Sequence, residues 1–560
     1  MSALYFYKMN YSKANMRSAS RDRFIMSKGH SVPAQYVVLS MLGIIAPEEL
    51  KSLKQMGSPL QGHPDMRKTP GIEAPTGSLG MGLSFANGIS MAARFDGMKF
   101  NIYLLLGDGE LQEGQVWEAA MNTAHQRLTN LCVIVDRNRF QSQGSVEDLK
   151  GIEPLVDKWK AFGWDAFRID GNDMTAVCSV LDRFDGTNEK PFAIIADTVK
   201  GKGVSFMENT FTYHNASVSV DEHQRAMAEL QDRIATMNTE QGQCQMTDEK
   251  KESTRDRYGK ALAELAKNDQ RVIALDCDLG RSTRSFEITK VDSKRFIEMG
   301  IAEQDMISTA AGMATMGKIP FANSFAVFIT GRAFDQIRQQ VALPKSNVKI
   351  CGSSAGITIG ADGSTHQSIL DVALMRTLPN LTVLVPADGN QTEHAVHAAH
   401  AYEGPVYIRL SRYETENFIP AGLPFRIGKA QVLSQGDGVV FASCGPITSN
   451  VIQAARMLER RGIKAGIVNF HTLKPIDRTA VEEMAAAYRH VISVEEHTVF
   501  GGLGTAIAEC LAEYEGSGPR AVLHRIGLQD CFGESGSAEE LLRKHGLHPE
   551  GIAEIAAALL

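Results

Sequence analysis

Residues 103–141 constrain the fold more than any other stretch of the sequence. They begin with an apolar run at 103–106, which predicts a buried strand, and a Gly-Asp-Gly turn ends it at 107–109. A helical pattern covers 114–128, and a second apolar run follows at 131–135. Strand, helix and strand over this length predict a βαβ unit, which builds a parallel sheet with a right-handed crossover.

Asp108 and Asn138 follow the two predicted strands at their carboxyl ends, which is the edge where open α/β sheets bind ligands. A carboxylate and an amide oxygen are hard donors that suit Mg2+ or Ca2+. Gly107 and Gly109 permit a tight turn and close approach of the backbone to a ligand. A Gly-Asp-Gly turn alone is usually only a turn, but the Asn about thirty residues later, after a strand, favours a ligand site.

Composition excludes several classes of protein. The chain has 560 residues with 43% hydrophobic and 22% charged side chains, which is globular and sufficient for two to four domains. A net charge of −7 gives no electrostatic case for binding nucleic acid or an anionic membrane. We see no apolar run of membrane-spanning length and no signal-peptide pattern. The eight scattered cysteines fit a reducing, cytoplasmic location better than disulfides or zinc.

Three consecutive α/β domains are predicted, at 1–236, 253–424 and 425–560. The polar segment 237–252 lacks hydrophobic periodicity and is predicted to be the linker after the first domain. The Gly- and Pro-rich stretch 60–83 is predicted to be a long functional loop. Further strands are predicted at 192–198, 272–275, 348–351, 382–385, 439–442, 465–469 and 491–495, and the second domain is predicted to close at 406–412.

The Gly-Asp-Gly turn and the later Asn together resemble the thiamin-diphosphate binding motif. With LQEGQVWEAA and VDRNRFQ attached, the chain resembles the transketolase family in particular. The three predicted domains match that family's order of diphosphate-binding, pyrimidine-binding and C-terminal domains, so the resemblance covers essentially the whole chain. It implies three doubly wound α/β domains of the thiamin-diphosphate-binding fold.

The resemblance implies a cofactor site in the first domain, with Mg2+ as the metal and Ca2+ or Mn2+ as substitutes. Asp108, Asn138 and the backbone carbonyl of Phe140 are its implied metal ligands, beside Gly107 and Gly109. The same resemblance places a further set of residues along the diphosphate and the substrate channel: His30, His63, Gly77, Leu79, Glu113 and His214. Imidazoles suit that role because they donate to phosphate or sugar oxygens and move protons near neutral pH.

Glu303, in the segment GIAEQDM, matches the carboxyl group that faces the aminopyrimidine ring of thiamin in this family. Taken alone, a Glu in the first turn of a helix often only offsets the helix dipole. Phe325 and Phe328 match aromatic residues that stack on the same ring. His63, His214 and His366 are the other implied catalytic residues. The implied substrate-binding residues are Arg255, Ser282, Asp362, His366 and Arg412, in which arginine is the natural planar partner of a phosphate.

The sequence departs from the family pattern in two places. Members carry some forty to sixty residues before the segment that opens this chain, including a Gly-His-Pro-Gly-like turn, so we expect a shortened first domain or a mis-set start. Ser354 stands where a His is common, and Ala361 stands where a Glu is common. These two replacements predict a donor preference different from that of standard ketose phosphates.

The implied function is transfer of a two-carbon ketol unit from a ketose phosphate to an aldose phosphate, within the pentose phosphate pathway. The implied assembly is a homodimer with sites at the subunit interface, binding neither nucleic acid nor membrane. Two alternatives stay open. One is a related enzyme, such as 1-deoxyxylulose-5-phosphate synthase or a 2-oxoacid dehydrogenase component. The other is a transketolase-like protein with little activity that acts as a binding or regulatory partner.

Overall fold

The computed structural model describes residues 1–214, 218–235, 251–514 and 521–560. These residues form two compact units. The first unit draws its described residues from 1–54, 58–235 and 300–302, and the second from 55–57, 251–299 and 303–560.

The first unit contains a parallel sheet with strand order β1-β2-β3-β5-β4. Its strands are β1 (Arg23–Met26), β2 (Ile102–Gly107), β3 (Leu131–Arg137), β4 (Asp165–Asp170) and β5 (Phe192–Asp197). Its α-helices are α1 (Val32–Met41), α2 (Gly82–Phe95), α3 (Gly114–His125), α4 (Val146–Lys150), α5 (Leu155–Ala161), α6 (Met174–Leu181) and α7 (Val220–Ala235). Shorter 3-10 turns lie at Gly29–Ser31, Pro47–Ser52, Gly109–Gln112 and Ser205–Met207, and a π-helical turn lies at Leu4–Lys8.

Two apolar clusters cover the two faces of this sheet. Leu104 and Val133 point into the cluster that contains helices α2 and α3, whereas Tyr103 and Cys132 point into the other. Successive strand residues face opposite sides, so a strand buried on both faces has a continuous apolar sequence, as β2 does. The βαβ unit predicted from residues 103–141 is therefore confirmed as β2, α3 and β3.

The helix after β2 is shorter than predicted. It was expected to reach Leu128, but α3 ends at His125. Arg127 adopts a φ of 51°, which lies in the left-handed region and cannot continue a right-handed helix. The chain then turns directly into β3, which keeps the crossover short.

The second unit contains two mostly parallel sheets, with orders β17-β11-β12-β10-β9-β7-β8 and β14-β16-β15-β18-β19. In the described ranges β17 and β14 are antiparallel to their neighbours, and β6 pairs with β13 in a separate antiparallel ladder. The strands are β6 (Glu252–Ser253), β7 (Val272–Asp276), β8 (Phe296–Glu298), β9 (Ile319–Phe325), β10 (Lys349–Ser353), β11 (Thr382–Leu384), β12 (Val406–Arg409), β13 (Glu414–Thr415), β14 (Gln431–Ser434), β15 (Val439–Ser443), β16 (Gly466–Asn469), β17 (Thr472–Lys474), β18 (His490–Thr498) and β19 (Val522–Leu528).

The helices of the second unit pack on these sheets around three apolar clusters. They are α8 (Thr254–Asn268), α9 (Gly280–Thr283), α10 (Glu303–Thr315), α11 (Ala326–Arg332), α12 (Phe334–Gln336), α13 (Asp371–Thr377), α14 (Gly389–Ala401), α15 (Thr448–Glu459), α16 (Arg478–Ala487), α17 (Leu503–Ala512), α18 (Ala538–Lys544) and α19 (Pro549–Ala557). Short 3-10 turns occur at Ser285–Lys290, Ser293–Arg295 and Ile357–Asp362, with a π-helical turn at Ile337–Ala342.

The predicted α/β fold class is confirmed by these parallel-dominated sheets with helices packed on them. Most of the predicted linker, 237–250, lies outside the described residues, and Glu252 at its end already belongs to β6. The predicted domain boundaries stay predictions. Among the described residues, we find no helix that is both long enough and apolar enough to cross a membrane.

Candidate active site

Asp108 and Asn138 lie at one edge of the first unit's sheet. Strands β2 and β3 are parallel neighbours, with Gly107 opposite Asp136, so the residues that follow each strand emerge side by side. Both side chains are buried, with Asp108 2% exposed and Asn138 6% exposed. The structure therefore brings these two predicted ligands to the same edge.

Three donors hold the Asp108 carboxylate. The backbone N–H of Gly109 donates to Oδ1 at 2.9 Å, and the N–H of Arg139 donates to Oδ2 at 2.6 Å. The Arg137 guanidinium donates to Oδ2 at 3.1 Å. Burial raises the pKa of Asp108, and the Arg139 N–H and the Arg137 charge partly offset that rise.

Arg137 is a buried arginine that sequence reasoning missed. Its guanidinium, 2% exposed, also contacts the carboxylates of Glu147 at 2.5 Å and Glu153 at 3.2 Å. Such a charge is tolerated inside a protein only when partners satisfy it. Arg137 thus fixes the orientation of Asp108 from the side of β3.

Asn138 is oriented by its own neighbours. Its Oδ1 accepts from the N–H of Phe140 at 3.2 Å, and its Nδ2 donates to Asp136 at 3.2 Å. Burial would raise the pKa of Asp136, but Lys28, at 2.5 Å, and hydrogen bonds from Thr198 and Asn138 lower it overall. Asp136 is therefore an ionised group beside the two predicted ligands.

The donor set at this edge fits a hard divalent cation. Asp108 and Asn138 offer oxygen atoms, which Mg2+ and Ca2+ prefer, and no sulfur or imidazole ligand is needed. Because Asp108 is buried, the charge of a bound cation would also offset the cost of keeping its carboxylate ionised. Asp108, Asn138, Asp136 and Lys28 are called the Asp108 cluster below.

The three predicted histidines of the first unit come together. The rings of His30 and His214 lie 5.1 Å apart, and the charge of His63 lowers the pKa of His30. Burial is the main cause of the low pKa of His30, and it also lowers the pKa of His214 to about 3, with Lys200 as the next cause. The Lys200 ammonium lies 3.0 Å from Nδ1 of His214. Both imidazoles are therefore neutral near pH 7 and can donate one hydrogen bond each.

The loop that carries Gly77 and Leu79 packs closely on the turn that carries His30. A Cβ on Gly29 would lie 2.8 Å from the carbonyl carbon of Thr76, and Gly77 has a φ of 151° that favours glycine. Leu79 is partly buried in this loop. One residue further on, a Cβ on Gly80 would lie 2.8 Å from the Cβ of Glu113.

Glu110 joins these loops and was not singled out from the sequence. Its buried carboxylate accepts from the hydroxyl of Ser27, from the N–H of Gly80 at 2.9 Å and from the N–H of Gly107 at 3.0 Å. The strand end before His30, the Gly77 loop and the Gly-Asp-Gly turn therefore share one acceptor. Its position directly after Gly109 was the available sequence signal.

Glu303 is at the centre of a separate cluster in the second unit. It begins α10 and is 2% exposed. The hydroxyl of Ser324, in β9, donates to its Oε1 at 2.9 Å, and Arg332, the last residue of α11, donates to its Oε2 at 3.0 Å. Sequence reasoning missed both Ser324 and Arg332.

Three aromatic rings lie close together beside Arg332, which is the charged partner of Glu303. Phe325 and Phe328 lie 6.1 Å apart at an interplanar angle of 18°, and the ring of His366 meets Phe328 edge-on at 5.1 Å. The guanidinium of Arg332 lies 5.5 Å from the Phe328 ring centre. Glu303, Ser324, Arg332, Phe325, Phe328 and His366 are called the Glu303 cluster below.

The remaining predicted substrate residues form two close pairs in the same unit. Arg255 donates to the backbone carbonyl of Ser282 at 2.9 Å, and Arg412 forms an ion pair with Asp362 at 2.9 Å. Burial lowers the pKa of Arg255 to about 10, and the charge of Arg412 is the next cause. Two guanidinium groups near enough to repel each other are a favourable place for an anion.

The two positions that depart from the family pattern have different surroundings. Ser354 is fully buried with a φ of 54°, and its hydroxyl has no hydrogen-bond partner within the described ranges. Ala361 is exposed in the 3-10 turn before Asp362. The Ser354 hydroxyl is therefore a buried polar group for which the described residues supply no partner.

Three family models match the sequence in succession. The transketolase thiamine diphosphate binding domain matches residues 1–273, the transketolase pyrimidine binding domain matches 250–417, and the transketolase C-terminal domain matches 428–552.

Curated proteins and a solved structure resemble the whole chain or a large part of it. Transketolase of Homo sapiens is 34% identical over 100% of this chain and 92% of its own length. Transketolase-like protein 2 of Mus musculus is 34% identical over 98% of this chain and 90% of its own length. A solved structure described as a split-gene transketolase, an inactive beta4 tetramer, is 44% identical, with a TM-score of 0.50 over 54% of this chain and 96% of its own.

Proposed function

Because the chain belongs to the transketolase family, we propose that it is an active transketolase that depends on thiamin diphosphate and Mg2+. It would transfer a two-carbon ketol unit from a ketose phosphate to an aldose phosphate. The proposal rests on two buried carboxylates, Asp108 and Glu303. The donors around Asp108 suit a carboxylate that binds a metal ion, and those around Glu303 suit a carboxyl group that faces a ring nitrogen.

In this proposal the first unit binds the diphosphate end of the cofactor. Asp108, Asn138 and the carbonyl of Phe140 would hold the metal. His30, His63 and His214 would donate hydrogen bonds to phosphate or sugar oxygens, which their low pKa values permit because a neutral imidazole keeps one N–H. The buried Glu110 would keep the surrounding loops at fixed distances from one another.

The Glu303 cluster would act on the aminopyrimidine ring. When bound, thiamin diphosphate supplies the electron sink for cleaving and forming carbon–carbon bonds. Glu303 would hold a proton at the ring nitrogen that its carboxyl group faces. Ser324 and Arg332 would keep that carboxyl group in one orientation, since each occupies one of its oxygens. Phe325 and Phe328 would stack against the ring and exclude water.

Substrate specificity would come from the two arginines and the groups beside them. Arg255 and Arg412 would bind the terminal phosphate of the sugar, since guanidinium groups bind phosphate oxygens in a bidentate manner. Ser282 and Asp362 would fix the positions of these arginines or contact the substrate directly. His366 would donate to a sugar oxygen near the aromatic pair.

We further propose that the functional form is a cytoplasmic homodimer of the pentose phosphate pathway in which both chains contribute to each site, as the family implies. Mixing tests this proposal. A preparation of Asp108→Asn and one of Glu303→Gln are assayed at a low cofactor concentration, at which each alone has little activity, and the mixture would regain part of the activity after co-refolding. Absence of any regain, with dimers present, would contradict shared sites.

A second candidate is a transketolase-like protein with little activity. It is favoured by the similarity to transketolase-like protein 2 and by the solved relative that is described as inactive. This candidate predicts cofactor binding without turnover.

Calorimetry and an activity assay separate the two candidates. Thiamin diphosphate with Mg2+ is titrated into the chain, and turnover of xylulose 5-phosphate with ribose 5-phosphate is then measured. Binding with turnover supports the transketolase, and binding without turnover supports the low-activity protein. No binding would contradict both.

A further inference from the structure

Helices α8 and α14 pack against each other in the second unit, and α8 also carries Arg255 in its first turn. Leu262 and Leu265 of α8 share one apolar cluster with Ala395, Val396 and Ala399 of α14. A buried contact of this kind fixes the relative position of the two helices. Side chains at the border of the contact therefore have a defined spacing.

Three potential metal ligands meet at that border. Glu264 of α8, with Glu393 and His397 of α14, place one ligand atom each within 4.8 Å of one another. Glu393 and His397 are four residues apart on one helix, a spacing that puts their side chains on the same face. Two rigid helices therefore bring together two carboxylates and one imidazole.

The contacts that Glu264, Glu393 and His397 already make leave a ligand atom of each side chain available to coordinate a metal ion. Within the described ranges, the side chains of Glu264 and His397 have no hydrogen bond or ion pair. Glu393 forms an ion pair with Arg257 at 2.9 Å, and Arg257 is also held by Glu252 at 2.7 Å. One oxygen of Glu393 is thus fixed by Arg257, while the other remains free to coordinate an ion.

The neighbouring histidines of α14 are arranged differently. His400, three residues after His397, donates from its Nε2 to the Asp269 carboxylate at 2.9 Å. His394 is outside the set of converging ligand atoms in the described part of the chain. His394 and His397 therefore offer a matched comparison on a single helix.

We propose that Glu264, Glu393 and His397 form a second metal site, for a transition-metal ion such as Zn2+. Zinc binds imidazole nitrogen and carboxylate oxygen at about 2.0–2.2 Å, which places neighbouring ligand atoms about 3.4 Å apart. The ligand atoms lie within 4.8 Å of one another, so binding requires closure by at most about 1.4 Å, which side-chain rotation provides. The imidazole distinguishes this site from the all-oxygen set of Asp108 and Asn138, which suits Mg2+.

The expected consequence is a metal-dependent link between two helices. An ion that binds the folded chain but not the unfolded one raises stability in proportion to the logarithm of its concentration over its dissociation constant. Zinc at this site would therefore raise the midpoint of thermal unfolding without any requirement for turnover.

The test titrates Zn2+ into the full chain loaded with thiamin diphosphate and excess Mg2+, so that the hard-ligand site is already occupied. Cys531 lies 3.9 Å from His545 and is a second place where zinc would bind. The measurement is therefore made in a Cys531→Ser background. Calorimetry gives the affinity, and the unfolding midpoint is recorded with and without Zn2+.

We predict that each chain binds one zinc ion. His397→Ala should reduce the affinity for Zn2+ at least tenfold, and Glu264→Gln should also reduce it. His394→Ala should leave the affinity unchanged. The rise in unfolding midpoint at a fixed Zn2+ concentration should be smaller in these first two variants and unchanged in His394→Ala. The proposal is overturned if Zn2+ does not bind, or if His397→Ala and His394→Ala bind it equally.

Discussion

The two carboxylates at the centres of the clusters are buried to the same extent but held in different ways. Asp108 accepts two backbone N–H groups and one guanidinium, beside an amide and a lysine-paired carboxylate. Glu303 accepts from one hydroxyl and from one guanidinium, and that guanidinium lies 5.5 Å from the centre of the Phe328 ring. The first arrangement provides fixed polar atoms around a site for charge, whereas the second orients one carboxyl group beside an apolar surface.

This difference predicts that the two clusters contribute to different steps, cofactor binding and the reaction itself. Changes in the Asp108 cluster should weaken binding of the metal and diphosphate, and changes in the Glu303 cluster should slow the reaction with binding retained.

Glu303→Gln should have the largest effect. The amide keeps the shape of the side chain but cannot hold the proton that the carboxyl group would hold, so we expect kcat to fall by roughly 10²–10⁴-fold. Steady-state turnover of the two sugar phosphates measures kcat for the variant and the parent chain. Ser324→Ala, which removes one hydrogen bond to the same carboxylate, is the matched control and should cause a smaller loss.

Arg332→Gln should destabilise the fold. Removing the guanidinium leaves the buried Glu303 carboxylate without its charged partner, which costs about 3–5 kcal/mol in free energy of unfolding. Urea unfolding provides the measurement. Arg338→Gln is the control, because Arg338 is an exposed arginine paired with Asp335, and an exposed pair contributes only about 0–1 kcal/mol. Equal losses of unfolding free energy in the two variants would show that the buried pair stabilises the fold no more than the exposed pair does.

Asp108→Asn should weaken metal-dependent cofactor binding about 10–100-fold, because the neutral amide attracts the cation less. Calorimetric titration of thiamin diphosphate at several Mg2+ concentrations measures the affinity of the variant for the cofactor. Glu147→Gln is the control, since Glu147 contacts the same Arg137 but has a half-exposed side chain. If both variants bind normally, Asp108 is not a ligand.

The histidines of the first unit should give the smallest effect, a dependence of stability on pH. Burial lowers the folded-state pKa of His30 and His214, so below about pH 6.5 the unfolded chain binds more protons than the folded chain. The free energy of unfolding should therefore decrease as pH falls, by about 2 kcal/mol for His214 between pH 7 and pH 5. Urea unfolding at the two pH values checks this.

Replacing both histidines by Asn should reduce that pH dependence. The double variant is compared with the parent chain at each pH, so that any general loss of stability cancels in the difference. A pH dependence of the same size in both proteins would show that other groups cause it.

Local patterns predicted the part of the site that depends on strand ends. The apolar runs before Asp108 and Asn138 predicted parallel strands, and parallel strands bring their carboxyl ends together. The rings of His30 and His214 lie 5.1 Å apart because of the conformation of the loops that carry them. Loop conformation leaves no hydrophobic periodicity in the sequence, so this contact could not be predicted from local patterns. Only the family resemblance indicated those residues.

The buried ion pairs could not be predicted in the same way. Arg332 and Glu303 are 29 residues apart, as are Arg137 and Asp108, and an arginine in a sequence is usually exposed. Ser324 lies in the fully buried strand β9, where a small polar residue would be taken as part of the core. Their partners became evident only from the packing of α10, α11 and the strands.

The most direct test measures binding and rate in the same three proteins: the parent chain, Asp108→Asn and Glu303→Gln. Each is titrated with thiamin diphosphate in the presence of Mg2+ and then assayed for ketol transfer. We predict that the parent chain binds and turns over, that Asp108→Asn loses affinity, and that Glu303→Gln binds as the parent does but is nearly inactive. Turnover by Glu303→Gln close to that of the parent chain, or absence of cofactor binding by the parent chain, would contradict the proposed division between the two clusters.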